Sequence, residues 1–215
     1  MTAVFLYAIL IFMDLSEIKK RMCSGRLYFC TDERLVSEQL KCLELLYDFN
    51  ASRPSEQELR QGLLKKMFAE IGEGCYIEPP LYANWGGKNA HFGNNVYANF
   101  SLTLVDDTDI FVGDNVMFAP NVTVIAGTHP ISPELRRKAA QYNLPVTIGD
   151  NVWIGAGAVI LPGVRIGENS VVGAGAVVTK DIPANVVAVG NPCRILREIS
   201  GRDLEYYNKN NKVDV

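Results

Sequence analysis

The apolar residues of this chain follow two different periods. Between residues 14 and 71 they recur every three or four residues, which predicts three short helices. From residue 72 the period becomes six: an aliphatic residue recurs, a glycine often follows it, and small residues or asparagines stand between. We therefore divide the chain into a helical segment (14–71), a domain of hexapeptide repeats (72–199) and a C-terminal tail (200–215).

Capping residues mark the ends of the predicted helices. Helix starts are expected where a side chain can accept a hydrogen bond from a free backbone N–H, at Asp14, at Asp32, and at Ser55 with Glu58 as a capping box. Gly25 and Gly72 suit helix ends, because glycine readily adopts the left-handed backbone conformation found there.

The six-residue period predicts a β-solenoid. Its clearest stretch keeps an unbroken register: Ile148, Ile154, Ile160, Ile166, Val172 and Val178. An earlier stretch shifts by two residues at 108–111, which indicates a corner insertion: Phe92, Ala98 and Leu104, then Val112, Phe118 and Val124. Each repeat supplies one short strand and one turn, and three repeats close a triangular coil with the aliphatic residues inside. The expected fold is mainly β, a parallel β-helix with an N-terminal helical segment.

A long insertion, residues 125–145, interrupts the repeats and contains His129, one of two histidines in the chain. Such insertions in compact domains are usually functional or disordered. We therefore expect a loop extruded from the coil. Trp153 precedes an inward Ile154, so alternation along the strand predicts that its side chain faces outward, toward the site or a neighbouring subunit.

Composition excludes several classes of function. The formal net charge is −3, from 21 basic and 24 acidic residues, so no positive field attracts nucleic acid or an anionic membrane. The five cysteines are odd in number and lack CxxC spacing, which indicates reduced thiols in a cytoplasmic protein. With two histidines the chain cannot form the three-histidine zinc site of a metal-dependent hydratase, and we expect no metal.

The first residues, 1–13, form the apolar run MTAVFLYAILIFM. No Lys or Arg precedes the run, no small-residue cleavage site follows it, and it is shorter than the ~20 residues that span a bilayer. Two interpretations stay open: an extra apolar element that packs on the protein, or a true translation start at Met13. Neither interpretation predicts attachment to a membrane.

Several motifs between about Asp14 and Ile199 together resemble the galactoside and maltose acetyltransferases. They are GRLYFCTDE, YDFNAS, EPPLYANWG, GNNVYANF, the THP of the long loop, IGDNVWIGAGAVILPGVRIG and VVGAGAVVTKDIPANVVAVGNPCRI. The resemblance implies a left-handed parallel β-helix that assembles as a homotrimer. It also implies transfer of an acetyl group from acetyl-CoA, a cosubstrate, to a sugar hydroxyl of galactoside, glucoside or maltose type, without a tightly bound cofactor.

The same resemblance implies roles for individual residues. His129 corresponds to a general base that takes the proton of the attacking hydroxyl. The acceptor-binding positions are Asp32, Asn84, Asn99 and Asp107. The acetyl-CoA-binding positions are Ala156, Ala174, Thr179, Lys180, Arg194 and Arg197, small side chains beside the pantetheine arm and polar or cationic ones toward the phosphates.

Alternatives stay open for some of these assignments. Asn84 stands where the galactoside enzymes have a serine, which leaves the identity of the acceptor open. Ala156 also replaces a serine of those enzymes, so backbone groups would have to assist the thioester in its place. Asp32 also suits a helix N-cap, and Asn99 and Asp107 also suit turns of the coil. For the whole protein, the alternatives are acetyl transfer to an antibiotic or to serine, and a non-catalytic scaffold built from the same repeat.

Overall fold

The structure is a computed structural model that describes residues 13–214. Its helices are α1 (Leu15–Met22), α2 (Glu33–Ala51), α3 (Gln57–Met67), α4 (Pro133–Arg137) and α5 (Arg202–Glu205). The two interpretations of the N-terminal apolar run concern residues that lie, except for Met13, outside the described part of the chain. They therefore stay predictions.

The strands are short and numerous. In chain order they are β1 (Tyr28–Phe29), β2 (Glu70–Ile71), β3 (Tyr76–Ile77), β4 (Tyr82–Ala83), β5 (Ala90–Phe92), β6 (Tyr97–Ala98), β7 (Thr103–Val105), β8 (Ile110–Val112), β9 (Met117–Phe118), β10 (Thr123–Ile125), β11 (Gly127–Thr128), β12 (Ala140–Asn143), β13 (Val146–Ile148), β14 (Trp153–Ile154), β15 (Val159–Ile160), β16 (Arg165–Ile166), β17 (Val171–Val172), β18 (Val177–Val178), β19 (Val186–Val189), β20 (Arg194–Glu198), β21 (Tyr206–Asn208) and β22 (Asn211–Lys212).

Most of these strands stack into three parallel sheets, which form the faces of a solenoid. Face 1 has the order β2-β5-β8-β13-β16, face 2 the order β3-β6-β9-β14-β17-β19, and face 3 the order β4-β7-β10-β15-β18. Strand β20 adds to face 2 in the antiparallel direction. The chain visits the faces in the same sequence through about six turns. The predicted β-helix with an N-terminal helical segment is confirmed.

The aliphatic residues of the repeats fill the interior. Every residue in the two predicted six-residue series is buried, and Leu104, Ile154 and Ile160 are wholly inaccessible. Because the strands of successive turns are in register, the inward side chains stack into one continuous apolar column along the axis. Residues of α2 and α3 join this core, and the ring of Phe68 packs edge-on against Phe92, 5.0 Å between centroids. The helical segment thereby covers the first turn.

Asparagine and glycine serve different purposes at the corners. At the corner between faces 1 and 2, positive φ angles recur on each turn, at Gly74, Asn95, Asn115, Asn151, Asn169 and Asn185. The asparagine amides also bond to one another along the axis, for example from Asn151 Nδ2 to Asn169 Oδ1 at 3.0 Å. A glycine after an inward aliphatic residue instead provides space. A Cβ on Gly155 would lie 2.5 Å from the backbone nitrogen of Ala174.

The capping box predicted at Ser55 and Glu58 is wrong. Helix α3 begins at Gln57, its N-cap position is Glu56, and no side chain makes a capping bond there. The carboxylate of Glu56 instead accepts a hydrogen bond from the backbone N–H of Arg53 at 2.7 Å. This bond folds the connection back toward α2 and moves the helix start past the expected serine.

The other predicted boundaries have mixed outcomes. The Asp32 cap is confirmed, because its carboxylate accepts the backbone N–H of Arg34 at 3.0 Å. Asp14 lies at the N-cap position of α1 but makes no capping bond. Gly72 ends no helix: α3 stops at Met67, and Gly72 belongs to the first corner of the solenoid.

Candidate active site

Polar groups collect at the corner between face 3 and face 1, because three neighbouring strands of face 3 end there. Asn84 follows β4, Asp107 follows β7, and the loop 125–145 departs from the end of β10. Asn84 Nδ2 donates to both carboxylate oxygens of Asp107, at 2.9 and 3.0 Å. The structure thus joins two of the four positions predicted to bind the acceptor and places them at the base of the loop that carries His129.

Directly before the register shift at 108–111 lie two adjacent carboxyls, Asp106 and Asp107, both buried. Asp106 accepts the backbone N–H groups of Trp85 and Gly87, at 2.6 and 3.0 Å, and so holds the turn that follows β4. Burial raises the pKa of Asp106 to about 6, although the backbone N–H of Trp85 favours its ionised form. Asp107 turns toward Asn84 and toward Trp85 Nε1, at 3.3 Å. One carboxyl therefore positions the turn, and the other carboxyl faces the site.

The extruded loop is ordered by strand pairing. Strands β11 and β12 run antiparallel within it, and β12 also pairs with β1 from the helical segment, with Phe29 opposite Ala140. A Cβ on Gly127 would lie 2.5 Å from Asp107 Oδ2, so the backbone of β11 rests directly on that carboxylate. The N-terminal segment and the insertion at Asp107 thereby hold the loop from two sides.

His129 follows β11 and is exposed. Its Nδ1 lies 2.8 Å from the carbonyl oxygen of Ala140. Because a carbonyl oxygen only accepts hydrogen bonds, Nδ1 carries the proton and Nε2 of the neutral ring keeps its lone pair. An imidazole in this tautomer presents a proton acceptor to the solvent side of the loop, as a general base requires.

Asn143 connects the elements around the site, and sequence reasoning missed it. It is wholly buried, and its Nδ2 lies 3.1 Å from the carbonyl oxygen of Met22, 3.1 Å from the Tyr28 hydroxyl and 3.0 Å from the carbonyl oxygen of Asp107. Its Oδ1 accepts a bond from Gln141 Nε2 at 3.1 Å. The residue lies in an aperiodic loop and outside every recognised motif, so no signal in the sequence pointed to it.

The other two positions predicted to bind the acceptor, Asp32 and Asn99, make hydrogen bonds to neighbouring residues in the sequence. Asp32 caps α2, and its oxygens also accept bonds from Arg34 Nε at 3.0 Å and Nη2 at 2.7 Å, which lowers the pKa of Asp32. Asn99 Oδ1 accepts the backbone N–H of Phe100 at 2.9 Å, at the corner between faces 2 and 3. These bonds match the N-cap and turn interpretations, and they leave open whether either residue contacts an acceptor.

The predicted acetyl-CoA positions lie in the last turns. Ala156 and Ala174 occupy equivalent corners of adjacent turns, since the N–H of Gly175 donates to the carbonyl oxygen of Ala156 at 2.8 Å, and both alanines are exposed. Thr179 and Lys180 are exposed and follow β18, at the same edge of face 3 as Asn84 and Asp107. Thr179 and Lys180 thus share the edge that carries Asn84 and Asp107, whereas the two alanines lie at the corner between faces 2 and 3.

The two arginines lie on β20, which is exposed along its length. Arg197 forms a forked ion pair with Asp203, from Nη1 at 2.8 Å and Nη2 at 2.7 Å, and this pairing lowers the pKa of Asp203 to about 2. Arg194 Nη1 donates to the carbonyl oxygen of Cys193 at 2.7 Å. An anionic ligand at Arg197 would therefore compete with a carboxylate of the C-terminal tail.

Two kinds of feature are absent from residues 13–214. No helix there is long and apolar enough to cross a membrane. No group of three or more His, Cys, Asp or Glu side chains there could hold a metal ion. His91, to which the sequence assigned no role, lies on face 1, where its Nε2 is 3.0 Å from Asp109 Oδ1 and its ring stacks on Phe111.

Comparison with known proteins defines the class first. Residues 21–72 match the maltose acetyltransferase hexapeptide capping motif, and residues 145–180 match the bacterial transferase hexapeptide, six repeats. The helical segment and the regular turns are thus those of the hexapeptide-repeat acyltransferases.

Individual relatives then define the family. The chain is 57% identical over 199 residues to the galactoside O-acetyltransferase of Lactococcus lactis, covering 93% of this chain and 96% of that protein. It is 52% identical to the galactoside O-acetyltransferase of Escherichia coli, over 91% and 96% of the two chains. A solved galactoside acetyltransferase in complex with coenzyme A superposes with a TM-score of 0.88 and 51% identity, covering 94% of this chain and all of that one. The chain belongs to the galactoside O-acetyltransferase family, which confirms the resemblance.

Proposed function

We propose that this enzyme transfers the acetyl group of acetyl-CoA to a hydroxyl group of a sugar, of galactoside, glucoside or maltose type. The observation that carries the proposal is the 2.8 Å contact between His129 Nδ1 and the carbonyl oxygen of Ala140, in the loop whose base carries the bonded pair Asn84 and Asp107. Relatives named galactoside O-acetyltransferase, and a structural neighbour bound to coenzyme A, support the choice of both substrates.

In the proposed mechanism His129 acts as the general base. Nε2 takes the proton of the acceptor hydroxyl while its oxygen attacks the thioester carbonyl carbon. The carbonyl oxygen of Ala140 keeps its bond to Nδ1–H and so stabilises the imidazolium. The new C–O bond remains when the C–S bond breaks, and the proton passes from Nε2 to the departing thiolate. No external acid, base or redox partner is needed.

The acceptor and the cosubstrate are bound by separate groups in this proposal. Asp107 and Asn84 orient sugar hydroxyls at the base of the loop, and Asp32 and Asn99 complete the acceptor set. The exposed corners at the two alanines leave space for the pantetheine arm, and polar or cationic side chains meet the nucleotide end: Thr179, Lys180, Arg194 and Arg197. For Arg197 this requires that the ion pair with Asp203 opens.

We also propose a homotrimer. The outer surface of face 2 carries a row of large apolar side chains in register, Tyr97, Met117 and Trp153, each between 37% and 50% exposed. The outward orientation predicted for Trp153 is therefore observed, and burial against another subunit would remove this row from water. A cytoplasmic location, without nucleic acid or membrane as partner, stays a prediction, which the five unpaired thiols support.

A thiol-release assay tests the proposal. The enzyme is mixed with acetyl-CoA and a panel of galactosides, glucosides, maltose, sugar alcohols, serine and antibiotics. We expect thiol release with at least one sugar and an acetylated sugar in the product. Release with serine or an antibiotic alone would replace the proposed acceptor class. Failure to bind acetyl-CoA by calorimetry, together with no release, would favour the non-catalytic scaffold.

A further inference from the structure

One side chain of the helical segment reaches the acceptor site directly. Gln39 lies on α2 and is half-buried, and its Nε2 donates to the backbone oxygen of Asn84 at 2.9 Å and to Asn84 Oδ1 at 3.2 Å. The bonds cross from the helix to the turn that follows β4. Gln39 lies in no recognised motif, and neither the sequence pattern nor the proposed mechanism gives it a role.

Gln39 and Asp107 together determine the orientation of the Asn84 carboxamide. Oδ1 of Asn84 accepts from Gln39, while Nδ2 donates to both oxygens of Asp107. Rotating the amide by half a turn would place its oxygen against the carboxylate and its NH₂ against the NH₂ of Gln39. Both contacts would then be repulsive, so the two neighbours select one orientation.

This orientation matters because Asp107 is buried and its carboxylate needs donors. Asn84 Nδ2 and Trp85 Nε1 supply them, and the remaining lone pairs can accept hydrogen bonds from hydroxyl groups. If the amide of Asn84 rotated, its oxygen would face the carboxylate and would repel it. The geometry offered to an acceptor therefore depends on a bond made outside the site.

We propose that Gln39 is a positioning residue for acceptor binding, which holds the Asn84 amide so that Asn84 and Asp107 present a fixed set of groups to sugar hydroxyls. The inference rests on the proposed function, because Gln39 acts through Asn84. The positions assigned to acetyl-CoA lie in the last turns of the solenoid, whereas Asn84 follows the first strand of face 3. The effect of Gln39 therefore belongs to the acceptor.

Steady-state kinetics of Gln39→Ala test the proposal, with the sugar that gives the strongest thiol release. We expect the acceptor KM to rise by about 3- to 10-fold, the effect of one lost neutral hydrogen bond, with the acetyl-CoA KM unchanged within about twofold. Gln39→Glu keeps the shape but sets a carboxylate against the oxygens of Asn84, so its acceptor KM should rise further. An unchanged acceptor KM, or an equal rise in both KM values, would overturn the proposal.

Gln61→Ala is the matched control. Gln61 lies on α3, and its Nε2 donates to a backbone oxygen of the solenoid, that of Cys75, at 2.8 Å. The bond is of the same kind as that of Gln39 but lies away from Asn84. We expect both KM values to stay unchanged. A rise in acceptor KM equal to that of Gln39→Ala would show that loosening the helical segment explains the effect, and would refute a specific role for Gln39.

A double-mutant cycle and a structure separate this proposal from the proposed function. In an Asn84→Ala background, Gln39→Ala should have less than half of its usual effect, and full additivity would contradict action through Asn84. A crystal structure of Gln39→Ala should show the Asn84 side chain shifted or in two orientations, with Asp107 in place. A single unchanged orientation would refute the inference even if no sugar in the panel were acetylated.

Discussion

The regular turns of the solenoid and the corner that carries Asp107 and His129 are held together in different ways. In the turns from β13 to β18 the same contact recurs: an inward aliphatic residue stacks on its equivalent, and an asparagine bonds to the asparagine one turn away. At the corner each contact occurs once and joins distant parts of the chain, such as Tyr28 and Asn143, 115 residues apart.

This difference indicates at which residues the molecule tolerates substitution. A repeated contact that is lost leaves equivalent contacts above and below it, so the damage should be a loss of stability spread over the column. A contact made once has no equivalent, so its loss should displace a particular functional group. Five predictions test this contrast, from the largest expected effect to the smallest.

His129→Ala should lower kcat by roughly 10²- to 10⁴-fold, the usual contribution of a positioned general base. The acetyl-CoA affinity should change little, because other residues are proposed to bind it. His91→Ala is the matched control: this second histidine lies on face 1 beside Asp109, and its loss should leave turnover unchanged. A folded His129→Ala enzyme that keeps more than about a tenth of normal turnover would disprove the assignment.

Asn143→Ala should lower stability and activity together. It removes the donor that binds the carbonyl oxygens of Met22 and Asp107, at a cost of about 2–4 kcal/mol in the free energy of unfolding. Displacement of Asp107 and β12 should also lower kcat/KM by about tenfold, the equivalent of 1.4 kcal/mol. Denaturant unfolding and kinetics below the transition measure the two effects.

Ile160→Ala provides the comparison from the regular turns. The side chain is wholly buried, and its truncation should lower the free energy of unfolding by about 2–5 kcal/mol, similar to Asn143→Ala. We expect kcat/KM of the folded enzyme to stay within about twofold of normal, because the equivalent apolar contacts in the turns above and below remain. Equal losses of kcat/KM in the two variants would remove the contrast between the regions.

Asp106 predicts a pH dependence of stability that is confined to the corner. Its pKa is about 6 in the folded protein and near 3.8 otherwise, so the folded state holds the proton more tightly than the unfolded chain. Its contribution is therefore fully present below about pH 4 and is lost as the pH rises through about 6, on the order of 1–3 kcal/mol. Asp106→Asn should lack this decline between pH 4 and pH 6, whereas Asp48→Asn, at an exposed position on α2, should retain it.

Asn169→Ala should have the smallest effect, about 1 kcal/mol, because alanine at a φ of +60° is strained and loses the bonds to Asn151 and Asn185. Asn169→Gly accepts that φ and should cost less. Thermal unfolding of the two variants measures the difference. A loss of several kcal/mol, or of enzymatic turnover, would show that the regular turns are less tolerant than their repetition indicates.

The same contrast explains which features the sequence predicted. Residues such as Ile148 and Val172 were identified as inward-facing because their signal repeats every six residues. The sequence did not indicate Gln39, Asp106 or Asn143, because the contacts of these residues do not recur at a regular spacing. A single sequence predicts a contact from its pattern only when the contact recurs. The positions near the site were predicted from the resemblance alone.

Local chemistry also explains the individual differences. The predicted cap at Ser55 is wrong because the Glu56 carboxylate accepts the backbone N–H of Arg53 and the helix begins only after Glu56. Arg197 was expected to be available to phosphates, yet it is paired with Asp203 from the tail, a partner that only the folded chain brings near. In both cases a side chain binds a partner that the sequence pattern did not predict: the N–H of Arg53 for Glu56, and the carboxylate of Asp203 for Arg197.

The parallel stacking of face 3 fixes distances along the axis of the solenoid. Neighbouring strands in a sheet are spaced by ~4.8 Å, and β7, β10, β15 and β18 are consecutive in this face. Asp107 follows the first of these strands and Lys180 the last, so three spacings, about 14 Å along the axis, separate the two residues. Side-chain packing cannot alter that length by small amounts. It changes only in steps of one whole turn, so the number of turns sets the axial distance between Asp107 and Lys180.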